Sequence, residues 1–190
     1  MLAAISADGE LFALGTTNGI IQVWQEGADE PLYSLRSDFE WTALSFSPDG
    51  KSLVTSADAV KVWNAGDGSL RFNPGGELTS YMSALFSPDG AQLVTQEPGL
   101  LHLWNMSDGA LLRSLGSLGS QEALPPAAFS PDGTLLVSSG ADGMGFWQVS
   151  DGTMLHSLET STSPAAFSAD GSMVIGMGDG IVETWGMPAP

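Results

Sequence analysis

The sequence predicts an all-β protein of five repeated units, each a four-stranded antiparallel meander, with the last unit lacking its outer strand. Three observations carry this. A tight-turn signal recurs as Ser6-Ala7-Asp8-Gly9, Ser47-Pro48-Asp49-Gly50, Ser87-Pro88-Asp89-Gly90, Ser130-Pro131-Asp132-Gly133 and Ser168-Ala169-Asp170-Gly171, with 38–43 residues between successive glycines. A tryptophan follows each turn at the same period, at Trp24, Trp63, Trp104, Trp147 and Trp185. Two independent markers that keep one period define a repeat architecture. Between them lie short runs rich in Val, Leu, Ile and Phe, such as Leu53-Val54-Thr55 and Val60-Lys61-Val62-Trp63, bounded by glycine-containing turns. That is the pattern of closely spaced strands rather than helices.

In chain order, the first unit takes strands near 2–6, 11–16, 20–25 and 31–36, and the second near 41–47, 52–57, 59–64 and 69–73. The third and fourth repeat this scheme. The fifth offers 164–168, 172–177 and 181–185, followed by Gly186-Met187-Pro188-Ala189-Pro190. The units therefore span about 1–36, 41–73, 81–115, 125–159 and 164–187, a single array over 1–190. Turn chemistry agrees: proline presets φ, Asp bonds its own turn backbone, and glycine takes positive φ without a steric penalty. Asn18-Gly19 and the Asp-Gly pairs at 142 and 179 reverse the next hairpin in the same way.

The unit Phe129-Ser130-Pro131-Asp132-Gly133, Leu135-Leu136-Val137, Ala141-Asp142-Gly143, Phe146-Trp147 and Ser150-Asp151-Gly152 resembles the repeat of the WD-repeat β-propeller family, and the resemblance covers essentially the whole chain. It implies a β-propeller of four-stranded blades whose loops at one end bind a protein or peptide. The residue after each tryptophan departs from the family pattern, being Gln25, Asn64, Asn105, Gln148 or Gly186 and never Asp, and no Gly-His pair precedes an inner strand. The buried His, Ser/Thr, Asp and Trp network of the family is therefore expected to be missing, leaving the blades to apolar packing and turns. An incomplete or partial propeller is expected, completed by sequence outside this chain or by a second subunit. A self-contained five-blade ring is the alternative.

The chain of 190 residues carries 22 Asp plus Glu against 5 Lys plus Arg, a formal charge of −17, which argues against nucleic acid and anionic membrane partners. Ten of the acids stand in Asp-Gly pairs and read as turn residues; the remainder still leaves an acidic protein suited to solubility or to a basic partner. Cysteine is absent, so disulfides, thiolate metal sites and cysteine nucleophiles are excluded. No signal peptide and no apolar run long enough to span a membrane is visible, so a soluble protein, cytoplasmic by default, is expected.

Catalysis requires a positioned nucleophile, base and charge stabiliser, or a metal. His102 and His156 stand at unrelated repeat positions, and no Asp-x-Asp-x-Asp run or glycine-rich phosphate loop occurs. The expectation is no enzyme, no metal, no cofactor and no catalytic residue. The connections between blades, 37–41, 73–81, 116–125 and 159–163, vary most and are the expected place of specificity. The candidate contact residues there are Phe39, Glu40, Trp41, Glu77, Tyr81 and Glu122, aromatics beside acids that suit a basic partner. For Trp41 and Tyr81 the competing reading is packing between blades at the start of an inner strand. A carbohydrate-binding or carbohydrate-processing propeller using exposed aromatics and carboxylates is the alternative function.

Overall fold

The structure, a computed structural model, describes residues 2–39, 41–57, 59–75, 83–97, 100–116, 127–140, 143–160, 163–178 and 180–186. These form five antiparallel sheets and no helix. Blade one comprises β1 (Leu2–Ile5), β2 (Leu11–Gly15), β3 (Ile20–Gln25) and β4 (Tyr33–Arg36). Blade two comprises β5 (Ala43–Phe46), β6 (Ser52–Ser56), β7 (Val60–Asn64) and β8 (Leu70–Phe72), and blade three β9 (Ser83–Phe86), β10 (Gln92–Glu97), β11 (Leu100–Asn105) and β12 (Leu111–Gly116). Blade four comprises β13 (Ala128–Phe129), β14 (Leu135–Gly140), β15 (Gly143–Gln148) and β16 (Met154–Leu158). Blade five holds three strands among the described residues, β17 (Ser163–Phe167), β18 (Met173–Gly178) and β19 (Ile181–Gly186).

Strands within each sheet pair in sequence order, so the chain meanders from inner to outer edge before entering the next blade. The register repeats: each period tryptophan sits opposite an apolar residue of the second strand, Phe12 with Trp24, Leu53 with Trp63, Leu93 with Trp104, Leu136 with Trp147 and Val174 with Trp185. In blades two, three and four the pairing to the outer strand shifts register at that tryptophan, a bulge after which Trp63, Trp104 and Trp147 stand opposite Leu70, Leu111 and Met154.

Because side chains alternate across a strand, each blade offers one face to its predecessor and the other to its successor. Val54, Val60 and Val62 point forward, where they are fully or almost fully buried against Phe86, Leu93, Trp104 and Met106 of blade three. Phe46, Leu53 and Trp63 point backward onto Ala13, Ile21, Val23 and Leu35 of blade one. Equivalent clusters join blades three and four and blades four and five. Burying one such Val or Leu is worth roughly 1.5–3 kcal/mol, so the seams between blades hold the array together.

No buried cluster of the described residues joins blade one to blade five, and the outward faces of both keep apolar side chains in solvent: Ile5 is 67% exposed and Val182 65%. The architecture is that of an incomplete propeller, as the repeat count and the missing outer strand predict.

Candidate interaction surfaces

Antiparallel order puts the first and third turns of every blade at one end of the array, and the second turn and the connection between blades at the other. Backbone bonds tie the two turns of the first end together, as in Ala65 N–H to the Lys51 carbonyl (2.9 Å) and Met106 N–H to the Ala91 carbonyl (3.0 Å).

The first end is built on the Ser-x-Asp-Gly signal. In each copy the serine hydroxyl donates to the aspartate, at 2.5–2.7 Å from Ser6–Asp8 to Ser168–Asp170. The carboxylate also accepts the backbone N–H two residues on, and the serine oxygen accepts that of the residue five on, which starts the second strand. These donors favour the charged form, so Asp8, Asp49, Asp89, Asp132 and Asp170 all titrate below the usual carboxylate value. For Asp170 the hydroxyl of Ser168, followed by the N–H and hydroxyl of Ser172, lowers it to about 2. The carboxylates are acceptors within their own turns, and together they set a row of fixed negative charges at blade pitch.

The second end carries the residues predicted to make contacts, and the structure separates them. Phe39 lies on the connection after β4 with 60% of its surface exposed. Its N–H bonds the Ser37 hydroxyl at 3.0 Å, and Ser37 N–H bonds the Gly19 carbonyl at 2.9 Å, so this aromatic stands on a loop pinned to the neighbouring hairpin. Trp41 is not beside it on the surface. It is 7% exposed and packs in the seam between blades one and two, near Ile21, Val23 and Phe46. It precedes β5 by two residues, and the chain entering an inner strand turns that indole into the gap between blades. Glu40, Glu77, Tyr81 and Glu122 lie outside the described residues.

Sequence reasoning missed a polar link inside the blades. The indole N–H of Trp63, Trp104 and Trp147 donates to the hydroxyl of Thr55 (2.8 Å), Thr95 (2.8 Å) and Ser138 (2.9 Å). Part of the expected-missing network is therefore present, in a reduced form with neither His nor Asp. The signal was a Thr or Ser two residues beyond the partner of each tryptophan. Blades one and five have Leu14 and Gly176 there, and the buried indole N–H of Trp24 has no partner.

Between blades four and five an open cleft of about 1170 Å³ runs from the first end along β16 and β19. The equivalent space between blades two and three is about 260 Å³. Arg71 lines it, its guanidinium bonding the Ser52 hydroxyl and, at 3.1 Å, the Met106 carbonyl.

Among the described residues no three His, Asp or Glu side chains come together as a metal site. His102 Nδ1 lies 2.8 Å from the Ser114 hydroxyl on blade three, and His156 lies on blade four. No helix is long and apolar enough to cross a membrane.

Comparison with known proteins agrees with this geometry. The family described as WD domain, G-beta repeat matches residues 30–72 and 127–144. Human apoptotic protease-activating factor 1 is 34% identical over 113 residues, covering 53% of this chain and 9% of that protein. An uncharacterized WD repeat-containing protein of Synechocystis is 28% identical over 96 residues (48% of this chain, 27% of the relative). Human angio-associated migratory cell protein is 27% identical over 127 residues (64% of this chain, 29% of the relative). The chain thus spans less than a third of each of these relatives. Taken with the repeated sheets, their common register and the buried tryptophans, these matches support WD-type repeats in this chain, with residues 30–72 and 127–144 matched directly.

Proposed function

We propose that this chain is a non-enzymatic protein-interaction scaffold that presents the connection end of its blades to a peptide or protein partner. WD repeats generally mediate protein–protein contacts. The observation that carries the reading is Phe39, a large aromatic held 60% exposed on a loop with two backbone anchors. A rigid exposed aromatic with polar neighbours suits an interface centre, because it buries much apolar area at little cost in entropy. Asp38 and Glu40 on the same connection, together with Glu77 and Glu122 on the following ones, favour a basic partner; Tyr81 adds a second aromatic.

The test is affinity capture with the intact chain and with Phe39→Ala. The variant removes a solvent-facing ring, so the far-UV circular dichroism should be unchanged while the captured partner is lost. A partner retained at full strength by Phe39→Ala would remove this end from consideration.

A further inference from the structure

The chain contains four asparagines, and one of them stands in a different setting from the rest. An asparagine loses its amide when the backbone nitrogen of the next residue attacks the side-chain carbonyl carbon. That reaction needs an unhindered nitrogen whose N–H is not committed to another acceptor. Asn64 and Asn105 lack one: the Ala65 N–H donates to the Lys51 carbonyl (2.9 Å) and the Met106 N–H to the Ala91 carbonyl (3.0 Å). Asn73 is followed by Pro74, which has no N–H. Asn18 is followed by Gly19, whose missing side chain leaves its nitrogen least obstructed.

The Asp-Gly turns sharpen the contrast. Gly9, Gly50, Gly90, Gly133 and Gly171 each donate the N–H to the carbonyl of the serine that opens the turn, at 2.8–2.9 Å. Gly68, Gly109 and Gly152 donate to the carbonyls of Asn64, Asn105 and Gln148 at the same lengths. The outer strand of the preceding blade covers these three with Tyr33, with Phe72, and with Arg113 and Leu115. The carboxylates of the serine turns are also held ionised by their donors, and an anion resists attack at its own carbonyl carbon. Among the described residues no such bond holds the Gly19 N–H.

Asn18 is exposed on the turn between β2 and β3, and the Thr16 hydroxyl donates to its side-chain oxygen. Negative charge develops on that oxygen when the carbon is attacked, so the donor is placed where it stabilises the reaction. Gly19 also supports the connection that carries Phe39. Its carbonyl accepts the Ser37 N–H at 2.9 Å, and it is packed so closely that a Cβ there would strike the Ser37 carbonyl oxygen.

We propose that Asn18-Gly19 is a self-modifying site, at which spontaneous deamidation releases the anchor of the Phe39 connection. The Gly19 nitrogen bonds to Asn18 Cγ, and its proton and the amide nitrogen leave as ammonia, giving a five-membered succinimide. Water adds to either ring carbonyl and opens it, to aspartate or to isoaspartate; nothing is oxidised or reduced. Isoaspartate carries the main chain through the former side-chain carbon, so the backbone between residues 18 and 19 becomes one carbon longer. With no free space beside Gly19, the bond from Ser37 gives way. None of this depends on Phe39 binding a partner.

The test ages the intact chain in mildly alkaline buffer and follows it by peptide mass spectrometry, with an isoaspartyl-specific methyltransferase to measure isoaspartate. Conversion of amide to acid at Asn18 should be at least about tenfold faster than at Asn64 or Asn105, whose turns must first open. Isoaspartate should likewise form there at least about tenfold faster than at the Asp-Gly turns of the first end. In guanidinium chloride, which removes the turn bonds, the Asp-Gly rates should rise by a larger factor than the Asn18 rate. Hydrogen exchange at 37–39 should quicken in the isoaspartyl form. It should match the parent in Asn18→Asp, which has the charge but a normal backbone, and stay constant on ageing in Asn18→Ser, which has no carbonyl to attack. An Asn18 amide that persists in the folded chain while converting in denaturant overturns the proposal. So does a denaturant acceleration at Asn18 as large as at the Asp-Gly turns, or unchanged exchange at 37–39 in a chain proven isoaspartyl at 18.

Discussion

Replacing Thr95 by Val tests whether the tryptophans hold their blades through a hydrogen bond or through packing alone. Thr95 is fully buried, Trp104 is 7% exposed, and the bond between them is 2.8 Å long. Valine keeps the shape and removes the acceptor. The indole N–H is then stranded among Val54, Val62, Phe86 and Leu93, where water does not reach it. An unsatisfied buried donor costs about 1–3 kcal/mol. The added methyl returns up to about 0.8 kcal/mol. The net expectation is a loss of about 1–2 kcal/mol, or roughly a tenfold change in local opening. Arrays of repeats need not unfold in one step, so the assay should resolve blades. Hydrogen exchange of the Trp104 indole, followed by nuclear magnetic resonance, serves this purpose, with urea unfolding alongside. Trp104→Phe combined with Thr95→Val should show the two losses to be coupled. The reverse change, Leu14→Thr, offers Trp24 the acceptor it lacks and should stabilise blade one by about 1 kcal/mol. A Thr95→Val protein as stable as the parent, with unchanged indole exchange, would refute the argument.

Three further outcomes are expected. Gly109 has φ 73° and a Cβ there would lie 2.8 Å from the Phe72 ring, whereas Gly9 at φ 77° has open space around it. Gly9→Ala should cost about 1 kcal/mol from backbone strain alone, and Gly109→Ala distinctly more, by chemical denaturation. The Tyr33 phenol donates to the Ala65 carbonyl at 2.8 Å; burial first, and the charge of Asp67 second, push it up to about 12 from the ordinary 10. Its stabilisation is complete below pH 10 and lost as the pH rises towards 12, so absorbance at 295 nm should show a late-ionising tyrosine that Tyr33→Phe removes. The turn aspartates are shifted the other way, so their stabilisation is present above pH 3.8 and lost as the pH falls towards about 2, the value for Asp170. An acid titration followed by circular dichroism should show loss of structure in that window, with an earlier onset for Ser168→Ala; stability rising steadily down to pH 2 as the −17 charge is neutralised would contradict it.

The sequence made the blades legible because local chemistry determines them. All ten glycines of the Asp-Gly pairs take positive φ, and each Ser-x-Asp-Gly copy folds into the same bonded turn. The three strands described for blade five were legible for the same reason, since strands could be counted from turn to turn. The candidate site was less so. Phe39 and Trp41 are two residues apart and alike in chemistry, yet one faces solvent and the other a seam, because exposure there depends on how the neighbouring blade approaches. The link from Trp104 to Thr95 crosses two strands and needed the register, and the cleft at β16 and β19 needed the volume that a neighbouring blade leaves empty.

The forward reach of each outer strand gives the array a direction in time. Tyr33, Phe72 and Arg113 find their covering turn in residues synthesised about 35–40 positions later. At about 5–20 residues per second, a nascent blade waits several seconds with that side chain uncovered until its successor leaves the ribosome. During synthesis each finished blade thus offers a template to the next one, whose third turn covers the side chain left by the strand made before it.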